Sequence, residues 1–342
     1  MNKFKYYFIL LITTVSFFSC SKNNTSTAPP RDHTAQYVSD NTDIEEYLNT
    51  YYMTVTNDAG MADDQDVTFT KITDPVNQHS IMSYLGASGY PRLMVREVSK
   101  NMLIHNVAYK IYYLVLRPGT GQSPCNVDGV LTAYHGEYLE RLSTTTNGVT
   151  TTPLTSTLFE EVKNPQSFLS LYSTVIGWSE IFPQFKTGTY SSNADGTVSH
   201  YDFGAGVMFI PSGLGYYNTG SGTIPAYAPL VFSFKLYEIE RLDQDNDGVP
   251  SWLENLVDAQ GNRDGYMYDY RNTANYSSAT TINTNDTDGD TIPDFLDVDD
   301  DNDGYTTKLE IKDLSTGLPF PFANIPTCTS GKKNYLDITC HP

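Results

Sequence analysis

Tryptophan, cysteine, histidine and positive charge are all scarce in this chain. Of 342 residues, 2 are Trp, 4 are Cys and 6 are His, and 21 Lys and Arg stand against 40 Asp and Glu, a formal net charge of −19. The shortage of bases argues against a nucleic-acid partner, because Lys and Arg contacts to phosphate dominate that kind of binding. After Cys20 the thiols are Cys125, Cys328 and Cys340. Cys328 and Cys340 bracket a short terminal loop and can pair in an oxidising compartment, although connectivity is not set by sequence; Cys125 is then left alone as a small buried or loop residue. Aromatics, by contrast, are plentiful, with 26 Tyr and 16 Phe, so a sizeable core can form.

Only one long apolar run occurs at the N-terminus. FILLITTVSFF follows Lys3 and Lys5 and ends at Ser19-Cys20, and the polar SKNNTSTAPPR comes next. This resembles a bacterial lipoprotein signal, cut before a cysteine that is then lipidated. The resemblance implies a signal over residues 1–20, a lipid on Cys20, membrane attachment through it, and a place in the cell envelope. Residues 21–42 have no apolar period and are expected to form a flexible tether.

Charge is unevenly spread. Between Asp243 and Glu310 there are 17 acids and 3 bases, a net of −14. Three stretches there fit the calcium-loop template, which draws ligands from positions 1, 3, 5, 7, 9 and 12 with Gly at 6. DQDNDGVPSWLE supplies Asp243, Asp245, Asp247, the Val249 carbonyl, Ser251 and Glu254. DDDNDGYTTKLE supplies Asp299, Asp301, Asp303, the Tyr305 carbonyl, Thr307 and Glu310, with Gly304 in place. DTDGDTIPDFLD supplies Asp286, Asp288, Asp290, Asp294 and Asp297, but Thr291 stands where Gly is wanted. Hard oxygen ligands without nearby His or Cys favour Ca²⁺ over a transition metal. Pro250 and Pro293 sit inside the loops, so the segment resembles thrombospondin type 3 repeats more than a helix-loop-helix sensor. A structural role for calcium is the expectation, against the plainer reading of a solvated acidic linker.

The remainder reads as β-rich. DNTDIEEYLNTYYMTV suggests a short helix, with Asp43 as N-cap and Ile44, Tyr47, Leu48 and Tyr51 at helical spacing. VTFTKI, VAYKIYYLVL, GVLTAYHGEYL, VKNPQSFLSL, GVMFIPS and APLVFSFKLYEIERL are strand candidates, and STVIGWSEIFPQF is a short helix. Residues 43–105 then make an N-terminal extension, 106–242 an α+β domain, 243–310 the acidic segment and 311–342 a tail.

The order RPGTGQSP, VLTAYHGEYL, LFEEV, TVIGWSEIFPQFKTG, FIPSGLGYY and TIPAYAPLVFSFKLYEIE resembles FKBP-type peptidyl-prolyl cis-trans isomerases. The resemblance implies an antiparallel sheet wrapped on one short helix and an aromatic pocket for a proline-containing polypeptide client, needing no cofactor for catalysis. Trp178 would form its floor, and Tyr134, Phe159, Tyr216, Ile224 and Phe232 its walls, with Phe168 a further candidate wall. Val175 would lie at the rim and offer its N–H, and Tyr216 its hydroxyl. Glu160 stands where the family has Asp, Pro183 enters the helix, and SGLGYYN is one residue long, so Tyr217 competes with Tyr216. LSTTTNGVTTTP and TYSSNADGTVSHYD are longer loops than the family norm. The rival expectation is a non-catalytic binding module or chaperone on a calcium-stabilised stalk.

Overall fold

The computed structural model describes residues 29–98, 104–255, 263–269 and 285–340. The chain divides into Met1–Arg31, of which residues 29–31 are exposed and without regular structure, and Asp32–Pro342, to which every element below belongs. Cys20 and the expected signal lie outside the described residues.

Helix α1 (His33–Thr50) leads into the hairpin of β1 (Tyr51–Val55) and β2 (Val67–Lys71). Strands β3 (Arg92–Glu97), β4 (Lys110–Arg117) and β5 (Gly129–Arg141) follow, then the small hairpin of β6 (Thr144–Thr146) and β7 (Val149–Thr151). Next come β8 (Leu154–Val162), β9 (Leu169–Ser170) and helix α2 (Ile176–Ile181). The hairpin of β10 (Thr189–Ser192) and β11 (Val198–Tyr201) precedes β12 (Gly204–Ile210) and β13 (Leu230–Glu240). A one-turn helix, α3 (Thr307–Glu310), lies in the acidic segment. Seven strands pair antiparallel in the order β3-β4-β12-β13-β5-β8, with β9 also on β5. The class is α+β.

Alternation along the strands assigns the two faces. Ile111, Tyr113 and Val115 of β4, Met208 and Ile210 of β12, and Phe232, Phe234 and Leu236 of β13 pack with Trp178 and Ile181 of α2. Leu114 and Leu116, Val207 and Phe209, and Val231 face the other way, onto Ile44, Tyr47 and Leu48 of α1. The expected sheet on one short helix is therefore corrected: it carries a helix on each face. Gly177 permits the α2 contact, since a Cβ there would lie 2.6 Å from two Ile210 carbons.

Two further expectations are corrected. Asp43 is not an N-cap. Asp32 is, its carboxylate accepting the Ala35 N–H at 2.9 Å, so residues 33–42 of the expected tether are helical. Asp43 instead meets Arg141 of β5, with Nη2 at 2.6 Å. VKNPQSFLSL is a strand only at its ends, Val162 closing β8 and Leu169–Ser170 forming β9, because Pro165 has no N–H to give a ladder. Pro183 acts as its chemistry requires: α2 stops at Ile181, and a 3₁₀ turn over Phe182–Gln184 takes the proline. Both long loops are exposed β-hairpins. Residues of the N-terminal extension do not merely pack alongside, since β3 joins the main sheet at its edge. No helix among the described residues is long and apolar enough to cross a membrane.

Candidate functional site

The face covered by α2 opens into a cleft of about 670 Å³. Tyr134, Phe159, Glu160, Val175, Trp178, Tyr216 and Phe232 all line it. Ile224 does not; it is buried in the core behind the cleft. Phe168 is also displaced, half exposed beside a different groove, and Leu169 takes the wall position.

The aromatic rings stand edge to face, as ring quadrupoles favour. Trp178 meets Phe232 at 5.1 Å and 87° and Tyr134 at 5.1 Å and 82°, and Phe159 meets Phe232 at 5.5 Å and 90°. Tyr134 and Phe232 come from neighbouring strands β5 and β13, Phe159 from β8. Gly136 keeps the rings at this spacing, because a Cβ there would sit 2.6 Å from the Phe159 ring and 2.8 Å from that of Phe232. Burial and then the Glu160 carboxylate push the Tyr134 hydroxyl up to about 12. Val175 is the N-cap residue of α2, in extended conformation at φ −64° and ψ 145°.

A stack of rings that no sequence motif indicated also lines the cleft. His33, at the start of α1, stacks on His105 and on Tyr217, each with ring centroids 3.9 Å apart, and all three line the cleft. Tyr216 and Tyr217 thus divide the labour: both line the cleft, but Tyr217 holds the stack. Asp40 fixes the segment that carries them. Its Oδ2 accepts the Ser212 N–H at 2.8 Å and the Ser212 hydroxyl at 2.6 Å, and Oδ1 accepts from Gln36 at 2.6 Å. Burial raises the Asp40 carboxyl to about 6 in spite of these donors. Only the pattern of α1, had it been read from residue 33, would have revealed either residue.

The acidic segment is a second cluster of chemistry. Each loop turns through two left-handed residues: Asn246 and Gly248, Gly289 and Thr291, Asn302 and Gly304. Carboxylate oxygens gather in the groups Asp243–Asp245–Asp247, Asp286–Asp288–Asp290 and Asp299–Asp301–Asp303, each with ligand atoms within 4.8 Å of one another. In the last loop, Asp299 Oδ1, Asp301 Oδ2 and both Glu310 oxygens are buried without a hydrogen-bond partner. Burial and the charges of Asp301, Asp303 and Asp299 push Glu310 up to about 8. This donor set, all oxygen and uncompensated, fits Ca²⁺.

The other expected ligands fare differently. Ser251 accepts the Gln244 N–H at 3.0 Å, Asp294 accepts the Thr287 N–H at 2.7 Å, and Thr307 donates to Asp300 at 3.0 Å. The ninth positions therefore clamp their own loops. Asp243 and Asp286 each turn both oxygens onto loop N–H groups. Glu254 groups with Asp247 alone of its loop's three aspartates, and Asp297 stands outside the cluster of its loop, accepting the Asp299 N–H at 3.0 Å. Val249 and Tyr305 occupy the seventh positions, and the Val249 side chain is buried with Ile311, Ile325 and Tyr335. Cys328 and Cys340 are disulfide-bonded, and Cys125 is free and buried.

The segment docks on the sheet domain through named contacts. Gln244 Nε2 donates to the Val127 carbonyl at 2.7 Å, and Asn126 exchanges two hydrogen bonds with Met267 at 2.6 and 2.8 Å. Arg241 pairs with buried Asp128 and lies 4.5 Å over the Trp252 ring. Glu180 of α2, almost wholly buried, is paired with Arg96 at 2.6 Å and receives the Tyr268 hydroxyl at 3.2 Å.

Against known proteins, a family model described as BamM C-terminal matches residues 244–335. No curated protein matches the chain. Among solved structures, the chain is similar to a peptidyl-prolyl cis-trans isomerase from Pseudomonas syringae pathovar tomato, with 17% identity over 62% of this chain and 99% of that one, and a TM-score of 0.32. It is also similar to FkpA from Escherichia coli, with 22% identity over 45% of this chain and 54% of that one, and a TM-score of 0.29.

Proposed function

We propose that the cleft binds X–Pro segments of polypeptide clients and catalyses their cis-trans isomerisation. The observation that carries this is the convergence of Tyr134, Phe159, Trp178, Tyr216 and Phe232, from five separate stretches of chain, on one cleft. The barrier to X–Pro rotation is the loss of amide resonance, about 18–20 kcal/mol. No bond is made or broken, so a catalyst need only hold the twisted amide better than the planar one. A twisted carbonyl is less polar and loses less on leaving water. An apolar cup that grips the proline ring over Trp178 therefore favours it. Val175 N–H and the Tyr216 hydroxyl orient the chain.

A protease-coupled assay on an X–Pro peptide tests the proposal. The full chain is expected to accelerate isomerisation, and Trp178→Ala to reduce kcat/KM at least about tenfold, equivalent to ~1.4 kcal/mol. No acceleration over buffer, with suppression of client aggregation retained, would identify a non-catalytic binding module instead.

A second reading, independent of the first, concerns the acidic arm. The orphaned oxygens of Asp299, Asp301 and Glu310, with Asp303 grouped beside them, support a structural calcium site in the last loop, with the first and middle loops following the same template less completely. Calcium would supply charge neutralisation there, not chemistry. The sequence also supports attachment to a membrane of the cell envelope through lipidated Cys20; metabolic labelling with a fatty acid, lost in Cys20→Ser, checks it.

A further inference from the structure

The loop template gives Glu254 to the ion held by Asp243, Asp245 and Asp247. The fold groups it with Asp247 alone of these three and joins it to the last loop. Its carboxylate oxygen groups with Asp247 and with Asp300, a residue of the last loop, all within 4.8 Å of one another. Asp300 stands at the second position of its loop, which the template leaves without a role.

All three side chains are buried, with 2%, 8% and 1% of Asp247, Glu254 and Asp300 exposed. Four of their oxygens have no hydrogen-bond partner: Asp247 Oδ2, both oxygens of Glu254, and Asp300 Oδ1. The remaining oxygens are occupied. Asp247 Oδ1 accepts the Val249 N–H and Asp300 Oδ2 the Thr307 hydroxyl, so each carboxylate is aimed by its partner. Lys308, whose charge acts on Asp247, gives its ammonium to the Asn246 carbonyl at 3.0 Å. Buried like charges without a counterion are strongly unfavourable, so a group so arranged is built for a cation. Two oxygens on one Ca²⁺, each at about 2.4 Å, lie at most about 4.8 Å apart, and the three oxygens here lie within that limit of one another.

We propose that Asp247, Glu254 and Asp300 form a separate divalent-cation site that ties the first acidic loop to the last. It differs from the sites within each loop because its ligands come from two loops. Occupied, it would clamp the end of the chain against the stretch that leaves β13; empty, the two loops repel.

Calorimetric titration of the full chain with calcium chloride tests this, comparing wild type with Asp300→Asn and Asp301→Asn. Asn keeps the Thr307 hydrogen bond and removes only the charge, so Asp300→Asn is expected to fold. It should lose one bound ion per chain. In chelator its Tm should exceed that of wild type, because a repulsion is gone; in saturating calcium the order should reverse. Asp301→Asn should lose a different ion and show no gain in chelator as large. An unchanged ion count in Asp300→Asn, with Asp301→Asn still losing its ion, would overturn the inter-loop site while leaving the loop reading intact. A wild type that takes up no calcium would overturn both.

Discussion

At the scale of single residues, Asp40 couples α1 to the cleft, and its buried carboxyl sets a pH dependence. A folded-state value near 6 lies above the ~3.9 of an unfolded Asp. Between those values the folded chain binds more protons than the unfolded one, so stability falls as pH rises through the window and levels off above it. The swing is roughly 2–3 kcal/mol, at about 1.36 kcal/mol per unit. Asp40→Asn should reduce this slope, seen as a smaller difference between urea midpoints at pH 4 and pH 7 than in wild type, the raised carboxyls of the acidic arm such as Glu310 contributing alike to both proteins. An equal slope in the variant would refute the assignment. Arg96 offers a second test: Arg96→Ala strands the buried Glu180 carboxylate and should cost about 3–5 kcal/mol in chemical unfolding. The site was legible at this scale where side-chain chemistry was distinctive. Trp178, Tyr134 and Phe159 were placed by their motifs, whereas Ile224 and Phe168, expected as walls, lie outside the cleft lining, because an apolar side chain near a pocket reads the same whether it lines the cavity or sits beside or behind it.

At the scale of elements, the strands of the main sheet could be read from their alternation, and α1 could be read only in its second half. Its buried stripe runs Gln36, Asp40, Ile44, Tyr47, Leu48. The spacing is helical throughout, but the first two members are polar and buried through Ser212 and the cleft segment, so a search for apolar period starts too late. VKNPQSFLSL failed for the opposite reason, its composition being strand-like while Pro165 denies it a ladder. The middle acidic loop carries a further element-scale prediction. Thr291 adopts φ +84°, a region disfavoured for a β-branched residue. Thr291→Gly should raise stability by about 1 kcal/mol despite the added freedom of the unfolded chain. Thermal unfolding checks it, and a lower Tm would show that the threonine is not strained.

At the scale of the whole molecule, the acidic arm and the sheet domain form one structure with separable stabilities. The sheet has two hydrophobic layers of its own, while the arm is held by small clusters around Phe295 and around Tyr335 and Ile311, and by the Cys328–Cys340 bond. Chelation should therefore raise amide hydrogen exchange across 285–310 and leave β4, β12 and β13 protected. Equal protection with and without chelator would show that calcium orders nothing. The sequence announced the arm by its charge, but not its docking, because Asn126 with Met267 and Tyr268 with Glu180 are pairings between distant, unremarkable stretches.

The scarcity of tryptophan has a practical outcome. Trp178 sits in the cleft, and Trp252 lies beneath the guanidinium groups of Arg241 and Arg263, at 4.5 and 5.3 Å, where the arm joins the sheet domain. Each half of the molecule thus carries its own fluorophore. Trp252→Phe leaves an emission that reports client entry, and Trp178→Phe one that reports the ion content of the arm. The two events can be timed separately in a single unlabelled protein.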